Sequence, residues 1–185
     1  DGGHVARNPS RHMAVLRDLV ALRGLGEAAA LPVPTAVPAA IERMAPMLRF
    51  FRHGDGKLAV FHGGEEESAA AIDLTLGRAE APGRAPASAP VSRFERLSAR
   101  RSLLLFDGGF PADDGLAGLL AFEFSSTGER LVVNCGTSRH ARPAWRRALA
   151  ATAAHSTLTL ADTNAIDVEP PGDVVALPRV ERQEA

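Results

Sequence analysis

The sequence predicts an α+β chain in which helices come first and antiparallel strands follow. Apolar residues recur at helical spacing up to Phe51, and from Val91 onward they recur at strand spacing between turn residues. Helices first and strands afterwards do not make a βαβ alternation, and no repeat of solenoid or propeller length is present.

The first helix is expected to begin at Pro9, with Asn8 as its cap, because proline lacks the N–H that a first helical turn leaves unpaired. Its apolar stripe runs from Met13 through Leu16, Leu19 and Val20, and Gly24 and Gly26 are the expected stop. A second helix is expected from Thr35, with Ile41, Met44, Ala45, Leu48 and Phe51 on one face and a kink or break at Pro46. The period then changes near Arg52 to Gly56. Leu58, Val60 and Phe61 read as a strand and His62-Gly63-Gly64 as a turn, with His53 and His62 expected on the surface. Ala69 to Leu76 suits a short helix, and the Pro/Ala/Gly stretch 79–90 reads as a connector. Beyond it, Phe94–Ala99, Leu103–Phe106, Leu119–Ser125 and Arg130–Asn134 read as strands, the last two joined through Ser126-Thr127-Gly128-Glu129. Pro143–Ala151 suggests one or two helical turns. Ser156–Leu160 alternates strictly and is predicted to be a strand with one face buried.

Composition narrows the function. Of the 185 residues 45% are apolar, enough for a packed core, and 21 basic residues face 22 acidic ones. That balance argues against non-specific nucleic-acid binding, which needs a basic field. No run approaches the length needed to cross a bilayer, so no membrane insertion is expected. Cys135 is the single cysteine, which excludes an internal disulfide and a cysteine-rich zinc site. Tyrosine is absent. The chain opens on Asp1 and closes on a charged run, so it reads as a piece of a longer protein. His140, beside Arg139 and Arg142, suggests a small basic patch.

Three segments, in order, resemble the heparinase II/III-like family. Asp1-Gly2-Gly3-His4-Val5-Ala6-Arg7-Asn8-Pro9-Ser10-Arg11-His12 resembles its D-G-x-H-x-E-R-S-P-x-Y-H stretch. Leu116 to Phe124, continuing from Arg130 to Gly136, is similar to H-A-D-A-L-S-F-E-L and R-L-L-V-D-P-G. Thr152 to Leu160 is close to S-T-A-A-H-N-T-V-V-V. The resemblance implies the last helices of an (α/α) toroid in residues 1–54 and the first part of an antiparallel β-sandwich in 55–185. It also implies eliminative cleavage of a uronate-containing acidic polysaccharide and, by analogy with such lyases, a periplasmic location.

That chemistry needs a cation or donor on the uronate carboxylate, a base for the C5 proton and an acid for the departing oxygen. The resemblance implies His4, His12 and His155 as catalytic candidates, and Arg7 and Arg11 for substrate binding. The family tyrosine, however, aligns with Arg11. The sandwich histidine aligns with Leu116, the aspartate two places on with Gly118, and the aspartate of V-D-P-G with Asn134. Of the zinc-ligand positions of some family members, only His155 keeps a ligand side chain, so no metal and no cofactor is expected. Two alternatives stand beside the lyase: a non-catalytic, glycan-binding or structural descendant, and a plain β-sandwich interaction domain with a helical lead-in.

Overall fold

A computed structural model of the chain describes residues 1–109, 116–136 and 142–166. Among the described residues there are four helices and a five-stranded antiparallel sheet, three of the helices leading as predicted. Arg139 and His140, read as part of a basic patch, lie outside the described residues.

Helix α1 (Pro9–Ala28) starts where the sequence places it. The Asn8 side chain accepts the Arg11 N–H at 2.8 Å, and Pro9 occupies the first helical position. Replacing Asn8 with alanine is expected to cost about 1 kcal/mol, read as a lowered unfolding midpoint. The predicted stop at Gly24 and Gly26 is overruled, because the helix runs on to Ala28. A helical glycine costs only about 1 kcal/mol relative to alanine, and Gly26 lets Val33 lie directly over the helix as the chain returns. Helix α2 (Ala36–Phe50) also continues unbroken through Pro46. It buries Val37, Ile41, Met44, Ala45, Met47, Leu48 and Phe50, and that packing outweighs one missing hydrogen bond.

The strand expected at Leu58–Phe61 does not form. Leu58 to Phe61 are four successive buried residues, held by one bridge to Arg52 and then by a 3-10 turn, Phe61–Gly63. Helix α3 (Ala69–Ala79), capped by Ser68, packs on α1 and α2. The stretch after it is not a loose connector. Ala81 and Ala89 are buried, Arg49 donates to the Ala81 carbonyl at 2.7 Å, and Ser88–Ala89 forms strand β1.

Strands β2 (Phe94–Ala99), β3 (Ser102–Asp107), β4 (Phe122–Ser126) and β5 (Glu129–Val132) follow β1 in a meander. The tight β4–β5 turn places Thr127 and Gly128 at φ 54° and 89°, the left-handed region a two-residue hairpin loop requires. Pleating sends Phe94, Leu103, Leu105, Asp107, Glu123 and Ser125 inward, and Phe94, Leu103 and Leu105 join one core with α1 and α2. Phe94 meets Phe51 edge to face, with ring centroids 5.0 Å apart.

Helix α4 (Pro143–Ala150) appears where predicted. The strand expected at Ser156–Leu160 does not, and Leu158 and Leu160 are 80% and 74% exposed. The Ser156 and Thr157 hydroxyls instead donate to the Phe122 and Leu119 carbonyls. Such side-chain bonds compete with a strand ladder.

Candidate functional site

The D-G-G-H…R-N-P segment lies on the seam between helices and sheet. The Asp1 carboxylate accepts the Ser92 N–H at 2.7 Å and the Ser92 hydroxyl at 2.9 Å, tying the segment to the loop before β2. Arg7 lies across the Phe94 ring at 4.7 Å and donates to the Ser92 carbonyl. Its guanidinium also forms an ion pair with Asp107, the last residue of β3.

Asp107 holds a second cation candidate as well. His62 Nε2 lies 2.6 Å from its Oδ2, and the Gly109 N–H donates to its Oδ1 at 2.9 Å. Burial by itself would raise the Asp107 carboxyl. The hydrogen bond and charge of His62, the Arg7 guanidinium and the Gly109 N–H outweigh it and hold the group below the usual carboxylate range. Arg7 and His62 both sit in left-handed backbone, at φ 53° and 51°. Non-glycine residues persist there only where the surroundings over-determine them, and here one carboxylate pins both. His62, expected on the surface, is therefore half-buried, with its side chain turned inward and 7% exposed.

The remaining candidates are placed as follows. His4 accepts the Ala6 N–H on Nδ1 at 3.1 Å. With the Nδ1 lone pair so occupied, the neutral ring carries its proton on Nε2, which is then a donor. Burial and then the Arg11 charge lower its pKa. His12 is 1% exposed, and its Nε2 donates to the Met44 carbonyl at 2.9 Å. Arg11 is exposed on the first turn of α1. The crevice lined by His4, Arg7, His12, Phe51 and Phe94 has no interior room for even a water molecule.

His12 makes the chain acid-sensitive. Burial drives its pKa from 6.5 to about 4, the Met44 hydrogen bond opposing and the His4 charge assisting. The unfolded chain binds the proton more readily between those values, so stability is full above 6.5 and falls as pH drops toward 4. Denaturant titrations are expected to show a loss of about 2 kcal/mol from pH 7 to pH 5 on account of His12, and His12→Gln is expected to remove that share.

A second cluster lies deeper on the seam, and sequence reasoning missed it. Glu123 on β4 is fully buried. Its Oε1 accepts the Val60 N–H at 2.9 Å and the Asn134 side-chain amide at 3.3 Å, and His53 Nε2 donates to Oε2 at 3.0 Å. His53 Nδ1 pairs with the Ser125 hydroxyl at 2.9 Å, so His53 too is buried and not on the surface. Alternation in the sequence points the other way, since Phe122 and Phe124 would be read as the inner face, and only the pairing with buried Leu105 turns Glu123 inward.

The positions resembling zinc ligands do not fit the ion. Leu116 is buried and apolar, and the Asn134 amide oxygen accepts the Ser156 N–H at 3.3 Å. His155 follows a 3-10 turn, Thr152–Ala154, and its ring fills the space beside Gly118, where an added Cβ would lie 3.0 Å from Cγ. A tetrahedral site needs three or four converging donors, and of these three positions only His155 carries a usual zinc-ligand side chain.

Comparison with known proteins places the whole. A family model described as Heparinase II/III-like, C-terminal, matches residues 81–185. The chain is 34% identical over 170 residues to FtsZ-localized protein C of Caulobacter vibrioides, covering 89% of this chain and 29% of that protein. It is similar in structure to the heparan sulfate lyase HepC of Pedobacter heparinus, with a TM-score of 0.69 and 17% identity over 91% of this chain and 31% of that one. A heparinase III structure gives a TM-score of 0.72 and 14% identity over 90% of this chain and 33% of that one. These two likenesses show the fold alone. The chain spans about a third of the length of the proteins it matches. On the matched family model and the shared fold, the chain belongs to the heparinase II/III-like family.

Proposed function

We propose that the parent protein is a non-catalytic member of this family that acts as a division-site scaffold, localised with FtsZ. One observation carries the loss of catalysis: the motif arginine, Arg7, is engaged by Asp107 within the fold, beside a crevice with no room for a sugar. A carboxylate clamp whose charge is already cancelled cannot neutralise a uronate. The two nearby histidines supply no base either, since the His4 lone pair takes the Ala6 N–H and His12 is enclosed. The division role rests on the 34% identity to FtsZ-localized protein C. In this reading residues 1–54 close a toroid and 55–185 open the sandwich, the pair serving as a rigid frame.

A second reading, handling of an acidic polysaccharide, is favoured by the Nε2–H of half-buried His4 and the exposed Arg11, both suited to an anion. One set of measurements separates the two. A fluorescent fusion of the parent protein is expected to form a mid-cell band that disperses when FtsZ is depleted. The purified parent is expected to generate no ultraviolet-absorbing unsaturated uronate from heparin, heparan sulfate, alginate or hyaluronan. A diffuse fusion would sink the scaffold reading. Steady product from any of these glycans, lost in His4→Ala, would restore the lyase.

A further inference from the structure

Asn134 stands where the family motif has an aspartate, and its side chain is bonded at both ends. The amide nitrogen donates to Glu123 Oε1 at 3.3 Å, and the amide oxygen accepts the Ser156 N–H at 3.3 Å. Both Asn134 and Glu123 are buried. A polar chain therefore runs unbroken across the seam. Val60 and His53 donate to Glu123, Glu123 accepts from Asn134, and Asn134 holds Ser156. The Ser156 carbonyl in turn accepts the Phe122 N–H at 3.1 Å, which closes the chain back onto β4.

An amide can fill this position without a cation, and a carboxylate cannot. Aspartate would still accept the Ser156 N–H, but it has no hydrogen to give Glu123. Two carboxylates would then face each other 3.3 Å apart in the interior, where like charges need a proton or a cation between them. Gly118 is a second observation with the same sense, since the family motif has an aspartate there too. A Cβ at 118 would lie 3.0 Å from both Cγ and Nδ1 of His155. The imidazole occupies the space that an aspartate side chain would need.

We infer that the Asn134 amide takes the part a metal ion would play here, cross-linking Glu123 to the 155–156 segment with no dependence on any metal. The test uses the parent protein and follows amide hydrogen exchange at Val60 and Ser156, the backbone donors at the two ends of the bridge. Exchange at both is expected to be the same in excess EDTA, in plain buffer and in zinc chloride. Asn134→Asp is expected to speed exchange at Val60 about tenfold, the scale set by a buried polar group that has lost its partner. In a Glu123→Gln background the same change is expected to have little effect, because the facing charge is gone. Faster exchange in EDTA, or slower exchange in zinc chloride, would show that a cation holds the site and would overturn the inference. An equal effect of Asn134→Asp in the two backgrounds also overturns it, since the amide would then fill space without serving Glu123. So does an Asn134→Asp protein that exchanges like wild type. Should Asn134→Asp fail to fold, recovery in the Glu123→Gln background reads the same coupling, and failure there too overturns it.

Discussion

Asp107→Asn is expected to destabilise the chain by about 3–5 kcal/mol, the usual cost of removing one partner from a buried ion pair. The Asp107 side chain is 3% exposed and that of Arg7 11%, so water cannot take over the lost charge. Asparagine keeps the shape but leaves the Arg7 guanidinium uncompensated, with His62 facing an amide. The backbone adds to the loss, because Arg7 and His62 are held at positive φ by the groups that meet on Asp107. Chemical denaturation of wild type and variant checks this. A change under about 0.5 kcal/mol, the ordinary effect of a surface substitution, would show that the carboxylate does not hold the seam. The double variant Arg7→Met with Asp107→Asn should lose less than the sum of the single changes, since the two groups share one interaction. The pH sign is distinct from that of His12. The Asp107 carboxyl is held low, so its contribution is present above the ordinary carboxylate range and is lost only as pH falls through the lowered value. Acid sensitivity between 6.5 and about 4 therefore comes from lowered histidines, His12 foremost with His4 adding in the same direction.

Glu123→Ala is expected to cost a comparable amount, about 3–5 kcal/mol. Alanine would leave the Val60 N–H without its acceptor in an interior site, leave His53 without its carboxylate, and open a cavity under β4. Glu123→Gln keeps one oxygen for Val60 and Asn134, and should retain more than half of the lost stability. Hydrogen exchange at the Val60 amide reads the same contact locally. Unchanged protection there in Glu123→Ala would show that the carboxylate does not anchor the helical side to the sheet.

These two clusters also give the motif residues a structural role. Asp1, Arg7 and Asn8 each make bonds across the seam, Asn8 donating to the His62 carbonyl at 2.8 Å. Residues that resemble the family motif thus hold the helices and the sheet together, whatever chemistry the site performs.

Much of the architecture was legible from the sequence. Asn8-Pro9 marks a helix start through chemistry confined to one turn, and Thr127-Gly128 marks a hairpin through two backbone angles, so local pattern sufficed for both. The helix-to-strand order followed from the change of apolar period, and the family from three ordered motifs. Only the tertiary structure decided the rest. Helices ran through Gly24, Gly26 and Pro46 because buried faces outweigh local penalties of a few kcal/mol. Ser156–Leu160 lost its strand to hydroxyl bonds with residues more than thirty positions away. His53 and His62 moved from expected surface to interior because their partners, Glu123 and Asp107, lie 70 and 45 residues further along the chain. A sequence displays which side chains carry charge. Which charges cancel one another is a property of distances, and those exist only once the chain has folded.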